Sequence, residues 1–238
     1  MTRQEMIVRY LGPVLAVPLG LGLGFGSGCG KSKTTSASTS PPAASKPRPR
    51  SDASAIQTVF ADFTDAVSNN DGQRAVQYVD AKTLRTYEEL AYLARMADRS
   101  ALLSQSTARQ VMVILIRQSF DRFQLRALDG AGLYAKMVDE DAFMAMAFEN
   151  VALGPVTVEG DKAKAVVTKV DGDPADKAEV EFVREGVWKL DLSGALRALE
   201  ADLADMPSEP DARMEAVLDL VGDMLGTRPR ASLYDGPR

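Results

Sequence analysis

The chain has 238 residues, with 28 basic and 33 acidic side chains, one cysteine and no histidine. A single cysteine excludes an intrachain disulfide, and the lack of histidine removes the usual neutral-pH proton shuttle, the Ser-His and Cys-His nucleophile pairs and the commonest zinc ligand. From Asp52 onward 21 basic residues stand against 32 acidic ones, an excess of negative charge that disfavours nucleic acid as a partner.

Residues 1 to 28 begin with Arg3 and Arg9 and then run from residue 11 to residue 28 in apolar residues, Gly, Pro and one Ser. These are the charged and apolar regions of an export signal. Phe25, Gly26, Ser27 and Gly28 lead into Cys29, an ending that resembles the lipobox of bacterial lipoproteins, although Gly26 stands where that family usually has Leu. The resemblance implies that residues 1–28 are a signal peptide, that the Cys29 thiol receives a diacylglyceryl group, and that the freed amine is acylated by a palmitate-like chain. Several acyl chains hold a protein stably, since each buried methylene contributes about 0.8 kcal/mol. An uncleaved membrane helix and a soluble secreted product are the alternatives; two prolines and many glycines weaken the helix. Within the family an Asp after the cysteine favours the inner membrane, and Gly30 at that place points to the outer membrane, with the domain facing the periplasm.

After Gly30, residues 31 to 51 are Ser, Thr, Ala and Pro with Lys31, Lys33, Lys46, Arg48 and Arg50 and no acid. Such a stretch cannot bury enough apolar surface to offset its conformational entropy, so residues 29–51 read as a lipidated cysteine followed by a disordered basic tether. Its cations could touch anionic headgroups, at about 1 kcal/mol each; a solvated spacer is the simpler reading.

From residue 52 the pattern turns helical. Ile56, Val59, Phe60, Phe63 and Val67 recur at helical spacing behind Ser51, Asp52 or Ser54 as N-cap, and residues 69–72 stop the run. A short helix follows with Ala75, Val76 and Val79, then one near 82–98 with Leu84, Tyr87, Ala91 and Ala94 on a stripe. Ser106 caps a longer helix that the pattern carries towards Leu128. Its apolar run 111–116 also fits a buried strand, but the helix formers on both sides favour helix. Gly130 and Gly132 are expected to break the chain before a helix from Leu133 to about Phe148, with Met137, Phe143, Met144 and Phe148 apolar. Met137, Met144 and Met146 fill a core or line an adaptable surface.

Four strands come next. Val156 and Val158 alternate with polar residues before a turn at Gly160 and Asp161, and residues 162–170 form a second strand. The acidic loop 171–176 does not make a calcium hand, because positions six and twelve hold Asp176 and Phe182. Residues 178–192 then alternate as a hairpin about residues 184–186, with Val180 and Phe182 on one face of the first strand and Trp188, Leu190 and Leu192 on one face of the second. An isolated hairpin is marginal in water, so this apolar face needs a helical cover. Ser193 starts a helix with Leu196, Leu199 and Leu203. Residues 208–210 open a last one with Met214, Val217, Leu218, Val221 and Leu225, and residues 227–238 are expected to trail as a flexible tail.

Residues 52–226 therefore read as one α+β domain with a single core: N-terminal helices packed on a curved four-stranded antiparallel meander, with C-terminal helices. Helices followed by a meander ending in Phe182 to Leu192 resembles the nuclear-transport-factor-2-like superfamily, which includes ketosteroid isomerase and SnoaL-type cyclases. That resemblance implies a cone around an apolar pocket, in which Phe182 and Trp188 line the pocket or form the core. It does not map a catalytic residue onto this chain, although Tyr78, Tyr87, Tyr92 and Tyr134 are available donors. The expectation is a lipid-anchored cell-envelope protein acting as a non-catalytic binding or interaction module, with no metal and no cofactor. Its partners would be the membrane and either an apolar small molecule or an envelope protein. The alternatives are a small-molecule isomerase or hydrolase, and a structural protein docking a partner through its last helix.

Overall fold

The computed structural model describes residues 51–140, 151–169 and 177–237. The signal peptide, Cys29, the tether up to residue 50, the stretch holding Phe143, Met144, Met146 and Phe148, and the acidic loop 171–176 lie outside the described residues.

Helix α1 (Asp52–Ser68) begins where the Ser51 hydroxyl accepts the backbone N–H of Ser54, and it buries Ile56, Phe60, Phe63, Ala66 and Val67. Helix α2 (Gly72–Val76) is a single turn, and α3 (Ala81–Met96) is capped by Asp80. After α4 (Arg99–Leu103), α5 (Thr107–Ser119) starts at Ser106 and is buried nearly all round, so the run 111–116 is helix and not strand. The helix stops at Ser119 rather than continuing to Leu128. Phe120 turns extended into the core, and Asp121 with Gln124 forms a capping box that starts α6 (Arg122–Ala127). That local pair satisfies the backbone donors of a new helix, which a periodicity count does not see.

The glycines at 130 and 132 do not break the chain, as the pattern had suggested. They lie inside α7 (Gly130–Asp139), whose cap is Asp129. A Cβ on Gly130 would sit 2.4 Å from the Leu84 carbonyl oxygen, and one on Gly72 2.0 Å from that of Ala135. These two positions let α7 lie against α3 and α2 at backbone contact.

The sheet is the meander β1 (Val151–Glu159), β2 (Lys162–Lys169), β3 (Lys177–Glu185) and β4 (Val187–Asp191), antiparallel throughout and ordered as in the sequence. Ala163 lies opposite Phe182 and Ala165 opposite Val180, so small residues on β2 leave room for large ones. Helix α1 packs on both edge strands, β1 and β4, and so crosses the inner face. Each large side chain buried there contributes about 1.5–3 kcal/mol relative to exposure. The Tyr78–Asp80 backbone covers the outer edge of β4: Asp80 N–H donates to Leu190 O, and Leu190 N–H to Tyr78 O. At the other edge the register of β1 slips between Leu153 and Val156, around Gly154 and Pro155, which blunts it against further strand pairing.

Helices α8 (Ser193–Asp202) and α9 (Pro210–Leu225) follow the sheet. The architecture is therefore α+β, with helices before and after an antiparallel meander. The core, however, is two clusters and not one. A sheet cluster gathers α1, α2 and the inner sheet face; a helical cluster gathers α4, α5, α6, α8 and α9. Helices α3 and α7 form the wall between them, with Leu133 and Met137 turned to the helical side and Tyr134 and Val138 to the sheet side. The apolar stripe of α9, Met214, Val217, Leu218 and Val221, is buried in the helical cluster. The C-terminal segment is likewise not a loose tail: a 3-10 turn (Ala231–Tyr234) buries Leu233 and Tyr234 there, because α5 presents polar groups that need its carbonyls.

Candidate functional site

Phe182 and Trp188, the hairpin residues singled out by their alternation, both lie in the sheet cluster and are 1 % and 5 % exposed. Phe182 meets Phe60 of α1 edge-on, with ring centroids 6.5 Å apart. They are core side chains, and α1 occupies the space above them. The rim of Trp188 is more elaborate. Its indole N–H donates to Asp52 Oδ1 at 3.3 Å, the Arg184 guanidinium lies 4.6 Å over the ring, and Arg184 is ion-paired with Asp52. The Arg184 partner, followed by the indole, holds the Asp52 carboxyl below its ordinary 3.8. Asp52 is the first residue of α1, so this cluster ties the start of the fold, next to the tether, to the β3–β4 hairpin.

Of the four tyrosines available as donors, two meet. Tyr134 is fully buried, and its ring stands edge-on to Tyr87 with centroids 5.0 Å apart. Its hydroxyl has no hydrogen-bond partner among the described residues. Burial raises the Tyr87 phenol to about 12 and that of Tyr134 well above its ordinary 10, so both are neutral at physiological pH. Tyr92 is instead exposed on the outside of α3, and Tyr78 lends its backbone to β4.

The most unusual charged group is one the sequence reading passed over as a helix former. Arg117 of α5 is fully buried, and all its donors meet backbone carbonyls. Nε donates to Ala94 O at 2.8 Å, one terminal nitrogen to Leu93 O at 3.0 Å and to Ala97 O, and the other to Leu233 O at 2.6 Å and Tyr234 O at 3.4 Å. Burial lowers its pKa to about 10, with Asp235 opposing the shift, and it remains a cation at neutral pH. The negative end of the α3 dipole faces it in place of a carboxylate. Its position three residues after Ile114, on the buried stripe, was the available signal.

Asp202 and Asp191 depart from ordinary behaviour in opposite senses. Burial raises Asp202 at the end of α8, and its Oδ2 is buried with no hydrogen-bond partner among the described residues. For Asp191, burial acts upward, but the Ser193 hydroxyl and amide together with Lys82 outweigh it and lower the pKa. An open depression of about 350 Å³ lies on α9, lined by Asp219, Gly222, Asp223, Gly226 and Arg228. Arg228 there is already paired with Glu215 and Asp219. Among the described residues, no group of three or more carboxylates or cysteines is placed to hold a metal ion, and no helix is long and apolar enough to cross a membrane.

No family model, no curated protein and no solved structure matches the chain.

Proposed function

We propose that the chain is a lipid-anchored protein of the bacterial cell envelope, held at Cys29 in the outer membrane and facing the periplasm, whose domain acts as a non-catalytic binding or interaction module. On this reading the domain is a cone of the nuclear-transport-factor-2-like kind. The observation that carries the proposal is the join between tether and fold. The basic stretch through Arg50 ends two residues before Asp52, and Asp52 is fastened to Arg184 and Trp188. A leash attached at a fastened point presents a folded body without straining it.

The test is incorporation of labelled palmitate in a bacterial host, followed by separation of the membranes. The expected result is label on the chain in the outer-membrane fraction, and its loss in Cys29→Ser. An unlabelled chain, or label that persists in Cys29→Ser, overturns the anchor.

A second reading, a small-molecule isomerase or hydrolase, rests on one observation, the Tyr134 hydroxyl that has no partner among the described residues. Native mass spectrometry of protein gently released from the envelope separates the two. An extra mass lost in Tyr134→Phe supports the small-molecule reading, whereas a bare chain supports the interaction module.

A further inference from the structure

The segment that runs from α3 to α6 differs from the rest of the domain in charge. Residues 82 to 129 carry eight basic and five acidic side chains, while the remainder of the chain from Asp52 carries 13 basic and 27 acidic. Within this segment Lys82, Arg95, Arg99 and Arg109 are paired with Asp191, Glu88, Asp235 and Glu89, and Arg117 is buried. Arg85, Arg122 and Arg126 are exposed and have no ion pair among the described residues. The other acids of the segment, Asp98, Asp121 and Asp129, each turn an oxygen to the backbone N–H groups of a helix start.

Helices α3 and α6 also carry bare apolar side chains. Phe123, between the two α6 arginines, is 78 % exposed; Met96 and Tyr92 on α3 are 67 % and 59 % exposed. Arg95, which lies between Tyr92 and Met96 in the chain, donates to the carbonyls of Leu125 and Leu128, so α6 is pinned to that turn of α3. The capping box at Asp121 fixes the start of α6.

We propose that this surface docks the domain onto an anionic lipid bilayer, with Phe123, Tyr92 and Met96 entering the headgroup boundary and Arg122 and Arg126 facing lipid phosphate. Aromatic rings and arginine stems are stabilised at that boundary, where each has an apolar body and a polar end. The acidic remainder of the domain is repelled by the same lipid, which orients the body with this face down. The proposal rests on the lipid-anchored reading for proximity. A tether of 22 residues spans at most about 75 Å, so even a weak contact is populated through its high local concentration.

The test places the full chain in vesicles of phosphatidylcholine alone or mixed with phosphatidylglycerol, with brominated acyl chains as quencher of a Phe123→Trp variant. Trp188, buried in the sheet cluster, makes the wild-type chain the control. The expected result is quenching of Phe123→Trp several-fold beyond wild type in the phosphatidylglycerol vesicles, falling back to the wild-type level when Arg122→Glu and Arg126→Glu are added. Emission no more quenched than wild type overturns the proposal, as does equal quenching in phosphatidylcholine alone. Shielding of position 123 only when other envelope proteins are added also overturns it, in favour of a protein partner. Flotation is scored separately. A chain that floats with neither lipid tells against the anchor and this surface alike, whereas one that floats but is unquenched at position 123 overturns the surface alone.

Discussion

The two clusters of the core accommodate polarity in different ways. The helical cluster is assembled from helix ends, and each C-terminal end leaves carbonyls without intrahelical donors. It therefore contains donors: Arg117 serves the last turn of α3 and the C-terminal 3-10 turn, while the Gln110 amide donates to Gln105 O at 2.9 Å and its oxygen accepts from Tyr234. The sheet cluster is assembled from one face of a ladder whose backbone groups are already paired between strands. Its inner face can be apolar, and it is: Ala163, Ala165, Val167, Val180, Phe182 and Leu190. A core of helix ends needs imported polar groups, and a core on a sheet face does not.

The largest effect is expected where that need is greatest. Arg117→Ala removes a donor from five buried carbonyls, of which Leu93 O keeps the Ala97 N–H, and should cost about 5 kcal/mol, as read by denaturant midpoint or by failure to fold. Arg117→Lys should recover only part, because an ammonium cannot span both groups of carbonyls. A midpoint unchanged in Arg117→Ala would mean that the cation is not the organising group of the helical cluster.

Next comes Trp188→Ala in the sheet cluster, with an expected loss of about 3–5 kcal/mol. Combined with Ile114→Val on α5, the two losses should add within about 0.5 kcal/mol, as expected of separate clusters. Marked non-additivity in thermal or chemical unfolding would merge the two cores into one.

A smaller change of opposite sign is expected at the wall. Tyr134→Phe removes a buried hydroxyl that has no partner among the described residues, so stability should stay level or rise by up to about 1 kcal/mol. A clear loss would reveal a partner for that hydroxyl.

The smallest effect concerns Asp52, which is exposed. Its folded pKa lies below 3.8, so its contribution is present above that value and is lost as the pH falls through the folded pKa. The difference in melting temperature between wild type and Asp52→Asn should therefore be visible at neutral pH and vanish in acid. A difference that persists in acid would assign the effect to packing around Trp188.

Much of this architecture was legible in the chain. The period of α1, the alternation of the hairpin and the turn at residues 184–186 follow from local residue order, and each is present where that order placed it. The break after Ser119 was missed because it depends on a capping pair, Asp121 and Gln124, set inside a continuous helical pattern. The C-terminal turn was missed because Leu233 and Tyr234 are two apolar residues in a polar stretch, and only the waiting Arg117 gives them a place. Of the candidate sites, Phe182 and Trp188 could be found by alternation. The pairing of Tyr87 with Tyr134 could not, since the two residues lie on helices whose approach is set by Gly130.

The sequence by itself determined the α+β order of elements, the four-stranded meander and its inward face, and a basic stretch set before an acidic body, because periodicity, turns and charge are properties of neighbouring residues. Tertiary structure decided the division into two clusters, the burial of Arg117 and the pinning of α6, with its exposed Phe123, to the last turns of α3 by Arg95. These depend on which helix ends and faces meet across long separations in the chain, and no local pattern encodes that.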